Sequence, residues 1–229
     1  SIQKEKDAYL DMIKNKILDT YQKEMSHNTN LIDIPRSIEV LQSIPYQLKK
    51  ENKKFQYGLM GYGKRAKEYD SAIDFLVNNQ LAYRSYKIMM VKSPLSSCKE
   101  KDSFKLYLND DGMLFFMMHS NSKQLFLDNK LKTALYENHI AKNLVEAGYP
   151  IYYYQSEGKA EVSFVIQNRM GQVIPIELVN KDVSKSKSLS LFMKKFTVKE
   201  AIRVTEDNFA IKKGVRYIPI YAMFCMKEG

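Results

Sequence analysis

Cysteine and histidine are scarce in this sequence, and their scarcity excludes a zinc site. The 229 residues contain two cysteines, Cys98 and Cys225, which lie far apart and form no Cys-x-x-Cys pair. The three histidines, His27, His119 and His139, are scattered as well, so no zinc-ligand spacing exists. A cysteine content this low fits a reducing compartment, and we expect a cytoplasmic protein.

Long apolar runs are also absent. The longest, Ile218 to Met226, is too short to span a bilayer, so no membrane partner is expected. The first ten residues, SIQKEKDAYL, are charged from the start and do not resemble a signal peptide. They lack an initiator methionine, which predicts that the chain is a piece of a longer protein.

Apolar residues and positive charge are plentiful. Apolar residues make up 45% of the chain, enough to build a core in one large or two modest domains. The net charge of +10 favours an acidic partner: nucleic acid, an anionic membrane surface or an acidic protein. The alternative is a protein that is basic overall but whose positive charge serves no binding function.

Helical patterns dominate the first half of the chain. The stretch from Ile2 to Met25 carries an apolar stripe at helical spacing, and we expect residues 1–30 to connect to a missing upstream domain. Helices are predicted from Ser37 to about Lys49 and from about Lys64 to Asn79, followed by a strand in LAYRSYKIMM. Helices followed by a β element predict a winged helix-turn-helix domain over residues 31–118.

A basic turn joins the two predicted helices of this domain, and it is the candidate nucleic-acid-binding surface. Aromatic residues are interleaved with its cations, a combination that suits phosphate contacts and base stacking. The alternatives are a solvated face or a protein-interaction surface. The seven basic residues of the turn are Lys49, Lys50, Lys53, Lys54, Lys64, Arg65 and Lys67.

The same turn contains GLMGYGKR, which matches a phosphate-binding loop only superficially. Arg65 stands where a magnesium-binding Ser or Thr is required, and no buried apolar strand precedes the segment. We therefore expect no ATP binding by this part of the chain.

The last portion, residues 119–229, predicts a mixed α/β layer. Leu131 to Ala147 is a helix that Gly148 ends. IYYYQS, AEVSFVIQN and GQVIPIELVN are strands, SLSLFMKKF is a helix, and EAIRVTED and YIPIYAMF are two further strands.

The second and third of these strands carry acids as a metal-dependent nuclease would. Side-chain alternation puts Glu161 and Ser163 on one face, opposite Val162, Phe164 and Ile166. By the same rule Glu177 and Val179 share the corresponding face of the next strand. A magnesium-dependent phosphodiesterase needs such acids and a nearby lysine. Glu137, on the apolar stripe of the preceding helix, is the candidate for a further acid. The alternative is that Glu137 lies at the edge of the stripe and pairs with a lysine.

The order of these segments resembles a known family. The chain resembles the C-terminal region of prokaryotic AAA-type ATPases that carry the domain of unknown function 4143. The segments that carry the resemblance occur in the same order as in that family: SIPYQLKKENKKFQYGLM, SFKLYLNDDGML, LYENHIAKNLVEAG, YYYQSEGKAEVSFVI, VIPIELV and KSLSLFMKKF. The resemblance covers nearly the whole chain. It implies a PD-(D/E)XK nuclease-like fold for Leu131 to Gly229, and an ATPase upstream that supplies the only ATP and Mg²⁺ sites and any oligomerisation.

This resemblance also implies a degenerate active site. Glu137, Glu161 and Glu177 match the acids of the family, but Ser163 replaces the usual Asp and Val179 the usual Lys. Lys181 or Lys187 would have to supply the missing cation, and a basic residue is also frequent where Gln155 stands.

We therefore predict an α+β protein, a winged helix followed by a restriction-endonuclease-like sheet with flanking helices. Its expected role is a nucleic-acid-binding or regulatory module without catalysis or metal. The alternatives are a weak Mg²⁺-dependent nuclease that uses Glu137, Glu161 and Glu177, or a protein-interaction or oligomerisation domain of the ATPase.

Overall fold

The computed structural model describes residues 12, 13, 15, 16, 19, 20, 23, 34–120, 122–156, 160–179 and 187–226. Between residues 34 and 226 the described chain is a mixed α+β structure. Its helices are α1 (Ile34–Leu48), α2 (Ala66–Asn78), α3 (Asp111–Met117), α4 (Ser122–Leu127), α5 (Asn129–Glu146) and α6 (Ser188–Phe196). Its strands are β1 (Ala82–Ile88), β2 (Lys99–Leu108), β3 (Tyr152–Gln155), β4 (Glu161–Gln167), β5 (Val173–Leu178), β6 (Ala201–Thr205), β7 (Ala210–Lys212) and β8 (Val215–Pro219).

Local sequence signals determine where the helices begin and end. In α5 the Asp128 carboxylate accepts backbone N–H groups of Lys130 and Leu131 at 2.9 and 3.1 Å, which starts the helix earlier than predicted. Gly148, at φ 92°, follows its end as expected. Positions 12, 13, 15, 16, 19, 20 and 23 of the predicted connector helix are helical, and its other positions lie outside the described residues.

All eight strands belong to one sheet, in the order β2-β1-β3-β4-β5-β6-β8-β7. Three pairs are parallel: β1 with β3, β5 with β6, and β6 with β8. The remaining pairs are antiparallel. Helix α6 connects the parallel pair β5 and β6 and packs on β4 and β5.

One sheet and one core extend across the predicted boundary between residues 118 and 119. Tyr86 and Ile88 of β1 pair with Tyr152 and Tyr154 of β3. The larger core contains side chains of α1, α2 and α5 together with those of β2, β4, β5 and β6. The division into 31–118 and 119–229 stays a prediction, but the β1–β2 hairpin is an integral part of the sheet.

The C-terminal strands differ from the prediction. The segment YIPIYAMF contains the end of β8, but Ile220–Cys225 forms a 3-10 helix. Strand β7 was missed. Lys213 and Gly214, at φ 51° and 76°, make a two-residue turn that folds β7 back onto β8.

A β-bulge in β4 changes the predicted alternation of side chains. Tyr152 pairs with Val165 and Tyr154 with Val162, so β4 contains one more residue than β3 between these two pairs. As a result Val162 packs in the smaller core beneath α6, whereas Phe164 packs in the larger core. The prediction that these two residues share one face is wrong, because alternation alone cannot anticipate a bulge.

Among the described helices, none combines the length and apolar character that crossing a membrane requires.

Asn138 of α5 is fully buried and fastens this helix to the end of β2. Its side-chain oxygen accepts the Leu108 N–H at 2.7 Å, and its amide donates to the Leu108 carbonyl at 2.9 Å. We expect Asn138→Ala to lower the free energy of unfolding by about 2 kcal/mol or more, because buried backbone groups lose their partner. Asn79→Ala, which removes an exposed helix-end bond of 2.9 Å, should cost under about 0.5 kcal/mol. Urea unfolding measures both, and equal losses would contradict this role.

Candidate functional site

The three acids of the predicted site lie on neighbouring elements. Glu137 is in the middle of α5, Glu161 begins β4 and Glu177 is on β5. Glu137 and Glu177 are each 5% exposed, whereas Glu161 is half-buried. The prediction that Glu137 belongs to the buried stripe of its helix is confirmed. Because an unpaired buried carboxylate is costly, the partners of these acids determine what the site can do.

Glu137 is paired with a lysine of the basic turn. The Lys53 Nζ lies 2.6 Å from its carboxylate, and the Lys53 side chain is only 11% exposed. The turn reaches this position because the Phe55 N–H donates to the Phe104 carbonyl at 2.7 Å, which holds the turn along the edge of β2. Lys53 therefore lies between the Glu137 carboxylate and the solvent.

Glu161 is paired with Lys105, a lysine that the sequence analysis overlooked. Lys105 lies on β2, is 1% exposed and forms an ion pair with the Glu161 carboxylate. Its Nζ also lies 4.6 Å from the centre of the Tyr153 ring. The sequence did contain a sign of this pair, because Lys105 lies between Phe104 and Leu106 in an apolar strand. A lysine buried in such a strand needs an acidic partner.

Burial and charge act in opposite directions on these groups. Burial alone would raise the pKa of Glu137, but the ammonium groups of Lys53 and Lys105 outweigh it and hold the pKa below 4.5. Burial would lower the pKa of Lys105, but Glu161 and Glu137 outweigh it and raise the pKa above 10.5. Burial and the same two acids raise the pKa of Tyr107 well above 10. At neutral pH, Glu137 and Lys105 are therefore charged and Tyr107 is neutral.

Glu177 has a cationic partner of its own. Arg203 stands opposite it on β6, and the Arg203 Nε lies 3.1 Å from the Glu177 carboxylate. The same guanidinium donates to the Tyr217 hydroxyl at 3.2 Å. All three predicted acids are thus neutralised by cations of the chain itself.

Ser163 and Val179 stand where the expected acid and lysine are missing, and no described lysine close to them in the sequence is seen to take their place. Ser163 is half-buried in the bulged part of β4, and Val179 is half-buried directly after β5, where its N–H donates to the Val204 carbonyl at 2.9 Å. Lys187 is exposed before the first turn of α6, and Lys181 lies outside the described residues. Cations do reach the acids, but from β2, β6 and the basic turn.

The acids do not form a metal centre in the described part of the chain. Within it, no group of three or more His, Cys, Asp or Glu side chains is arranged to hold a metal ion. Carboxylate oxygens are the ligands that Mg²⁺ prefers, but those of Glu137, Glu161 and Glu177 already contact nitrogen cations.

The basic turn is divided between internal and external roles. Lys53 binds Glu137, and Lys64 binds Glu39 of α1 at 3.0 Å. The Tyr69 hydroxyl donates to the same Glu39 carboxylate. The five remaining cations are exposed or half-exposed and form no ion pair with a described acid: Lys49, Lys50, Lys54, Arg65 and Lys67.

The exposed side of α2 carries acids. Glu68, Asp70 and Asp74 all face solvent on this helix. Asp74 pairs with Arg84 at 2.7 Å, and the Tyr57 hydroxyl donates to Asp70 at 3.2 Å. Such a surface repels phosphates, so anion binding near this helix has to use the turn that precedes it.

Two family models match different parts of the chain. One family, described as a domain of unknown function (DUF8612), matches residues 1–124, which is 124 of the 229 residues. The chain belongs to the DUF8612 family.

In this DUF8612 member, residues 132–223 match a second model, described as a domain of unknown function (DUF4143). The predicted resemblance to that family is confirmed for this part, which contains Glu137, Glu161 and Glu177. The DUF8612 match contains Lys53 and Lys105, so the ion pairs join the two matched segments. Comparisons with curated proteins and with solved structures gave no match.

Lys53→Met tests the pairing at Glu137. We expect it to lower the free energy of unfolding by about 3 kcal/mol, because a buried carboxylate loses its closest cation. The double variant Lys53→Met/Glu137→Met should recover most of this loss, since no charge is left unpaired. Lys64→Met is the matched control: its pair is much more exposed, at 32% and 42%, so its loss should be far smaller than that of Lys53→Met. Chemical denaturation measures the cycle, and additive losses in the double variant would contradict the pairing.

The lowered pKa of Glu137 makes a further prediction for acid solution. The unfolded chain takes up this proton at a higher pH than the folded protein, because the folded pKa lies below the ordinary value of 4.5. The contribution of Glu137 to stability is therefore complete above pH 4.5 and is lost as the pH falls through the folded pKa. Denaturant unfolding measured against pH should show a steeper acid loss for the wild type than for Lys53→Met/Glu137→Met. Parallel curves would contradict it.

Proposed function

We propose that this protein is a nucleic-acid-binding module without catalytic activity, the C-terminal accessory region of an AAA-type ATPase. In this proposal α1, α2 and the β1–β2 hairpin are a winged helix, and the remainder is a degenerate PD-(D/E)XK-like domain. The order α5, β3, β4, β5, α6, β6 supports it, because the acids lie on the first helix and on the β4–β5 hairpin.

The observation that carries the proposal is the internal neutralisation of the acids. Glu137, Glu161 and Glu177 each bind a cation of the same chain, and two of these cations, Lys53 and Lys105, are almost completely buried. A divalent metal would have to displace them and leave buried ammonium groups unpaired, which is costly. Together with the absence of an acid at position 163 and a lysine at 179, this argues for a structural ion-pair network.

Surface charge supports nucleic acid as the partner. Five cations of the basic turn form no ion pair with a described acid, and the chain carries a net charge of +10. Such cations contact phosphates independently of base sequence. The acids on α2 argue against insertion of this helix into a groove, so the contacts come from the turn.

ATP has no site of its own in this proposal. Lys64, the lysine of the superficial phosphate-binding loop, is engaged with Glu39, and Gly58 follows no buried strand. ATP and Mg²⁺ belong to the upstream ATPase, which also carries any oligomerisation.

A weak Mg²⁺-dependent nuclease is the second candidate, and Lys105 is the observation in its favour. This lysine binds Glu161 and lies close enough to Glu137 to affect its pKa, so two acids and a lysine meet at one place. Cleavage would require the Lys53 pair to open and admit a metal.

Binding to a fluorescently labelled DNA duplex and to a single strand of mixed sequence tests the proposal. Anisotropy in EDTA should show binding whose affinity falls with salt, and Lys50→Gln/Lys54→Gln should reduce the slope of log K against log salt by about 2. Lys87→Gln/Lys142→Gln is the matched control: it lowers the net charge equally but removes lysines already paired with Glu100 and Glu146.

Three outcomes contradict the proposal in different ways. Absence of binding at low salt would favour the protein-interaction or oligomerisation role. Equal slopes for the two double variants would remove the basic turn from the surface. Cleavage that requires Mg²⁺ and disappears in Glu161→Gln would establish the nuclease.

A further inference from the structure

A second group of cations comes together at the other end of the chain. Two segments supply it: the loop after α6 and the β7–β8 turn. Its members are Lys199, Lys212 and Lys213, which we call the hairpin lysine surface.

Backbone contacts bring these segments together. Thr197 ends α6 in the left-handed region at φ 54°, and the chain turns towards β6. The Ala201 N–H donates to the Gly214 carbonyl at 3.4 Å. A Cβ on Gly214 would lie 3.0 Å from the Lys199 carbonyl oxygen, so the β7–β8 turn packs directly on this loop. The close approach requires glycine.

The three lysines face solvent and lack acidic partners among the described residues. Each of them is exposed. Lys212 lies 5.2 Å from the centre of the Tyr217 ring, a contact that does not neutralise its charge. The neighbouring acid, Glu200, lies 3.8 Å from Arg216. A concentration of unpaired positive charge is the result.

We infer that the hairpin lysine surface is a second phosphate-binding site, one that contacts the backbone of the same nucleic acid. This inference rests on the proposed function. An ammonium group on a flexible stem binds phosphate as a point charge, without the fixed geometry that reads a base edge. The surface therefore adds affinity and salt dependence and contributes no sequence preference.

A nucleic acid is favoured over a free phosphate because it is a continuous polyanion. The three lysines lie on two adjacent turns of backbone and are all exposed, which offers successive phosphates several contacts. The basic turn offers five further cations on another part of the molecule, so one strand can gain from both surfaces.

Lys212→Gln/Lys213→Asn tests the inference, with Asn chosen because it tolerates the φ of 51° at position 213. Anisotropy titrations use the same duplex and single strand, with Lys87→Gln/Lys142→Gln as the charge-matched control. We expect affinity to fall by roughly 10- to 100-fold near physiological salt and the salt slope to fall by about 2, for both DNA forms. Thermal unfolding should be unchanged, since both positions are exposed.

The result separates this inference from the function on which it rests. If the wild type binds no DNA, the proposed function itself fails. If the wild type binds and Lys50→Gln/Lys54→Gln weakens binding, but the hairpin variant matches the control, only the second site is overturned. Loss of binding to vesicles containing phosphatidylserine, with DNA binding unchanged, would overturn it as well and assign the surface to a membrane.

Discussion

The pairing of buried charges around Glu137 is the constraint on which the structure depends. Lys53 from the basic turn and Lys105 from β2 meet the acids of α5 and β4 in one cluster. Each group is tolerated inside the protein only because the others are present. The cluster therefore ties the DUF8612 segment to the DUF4143 segment by charge, in addition to the shared sheet and core.

The same constraint determines how the buried acids of this protein are balanced. In a metal enzyme a divalent ion balances the carboxylates, whereas here ammonium and guanidinium groups of the chain do so. Each internal pair uses one cation for one acid, so the net charge of +10 is left to other residues. In the proposed function, exposed cations on two turns contact a phosphate backbone, and the acidic side of α2 does not enter a groove.

Periodicity was sufficient to predict α1, α2, α5, α6 and most of the strands, but not the short helix α4. The apolar stripe of α5 located Glu137, and alternation in β5 located Glu177, because both patterns depend on neighbours a few residues apart. Alternation failed in β4, where the bulge opposite β3 moves Val162 to the other core. It also failed at β7, whose three residues carry too little pattern to stand out from a loop.

By itself, the sequence determined an α+β chain with a net charge of +10, three acids within predicted helix and strand segments, and no Asp or Lys at positions 163 and 179. Tertiary structure alone decided which cations meet those acids. Lys53 and Lys105 lie 84 and 56 residues from their partners in the chain, and only sheet pairing and the packing of α5 bring them together. Lys199 and Lys213 became neighbours for the same reason. Local patterns specify the face on which a side chain lies, but long-range packing determines which charge it faces there.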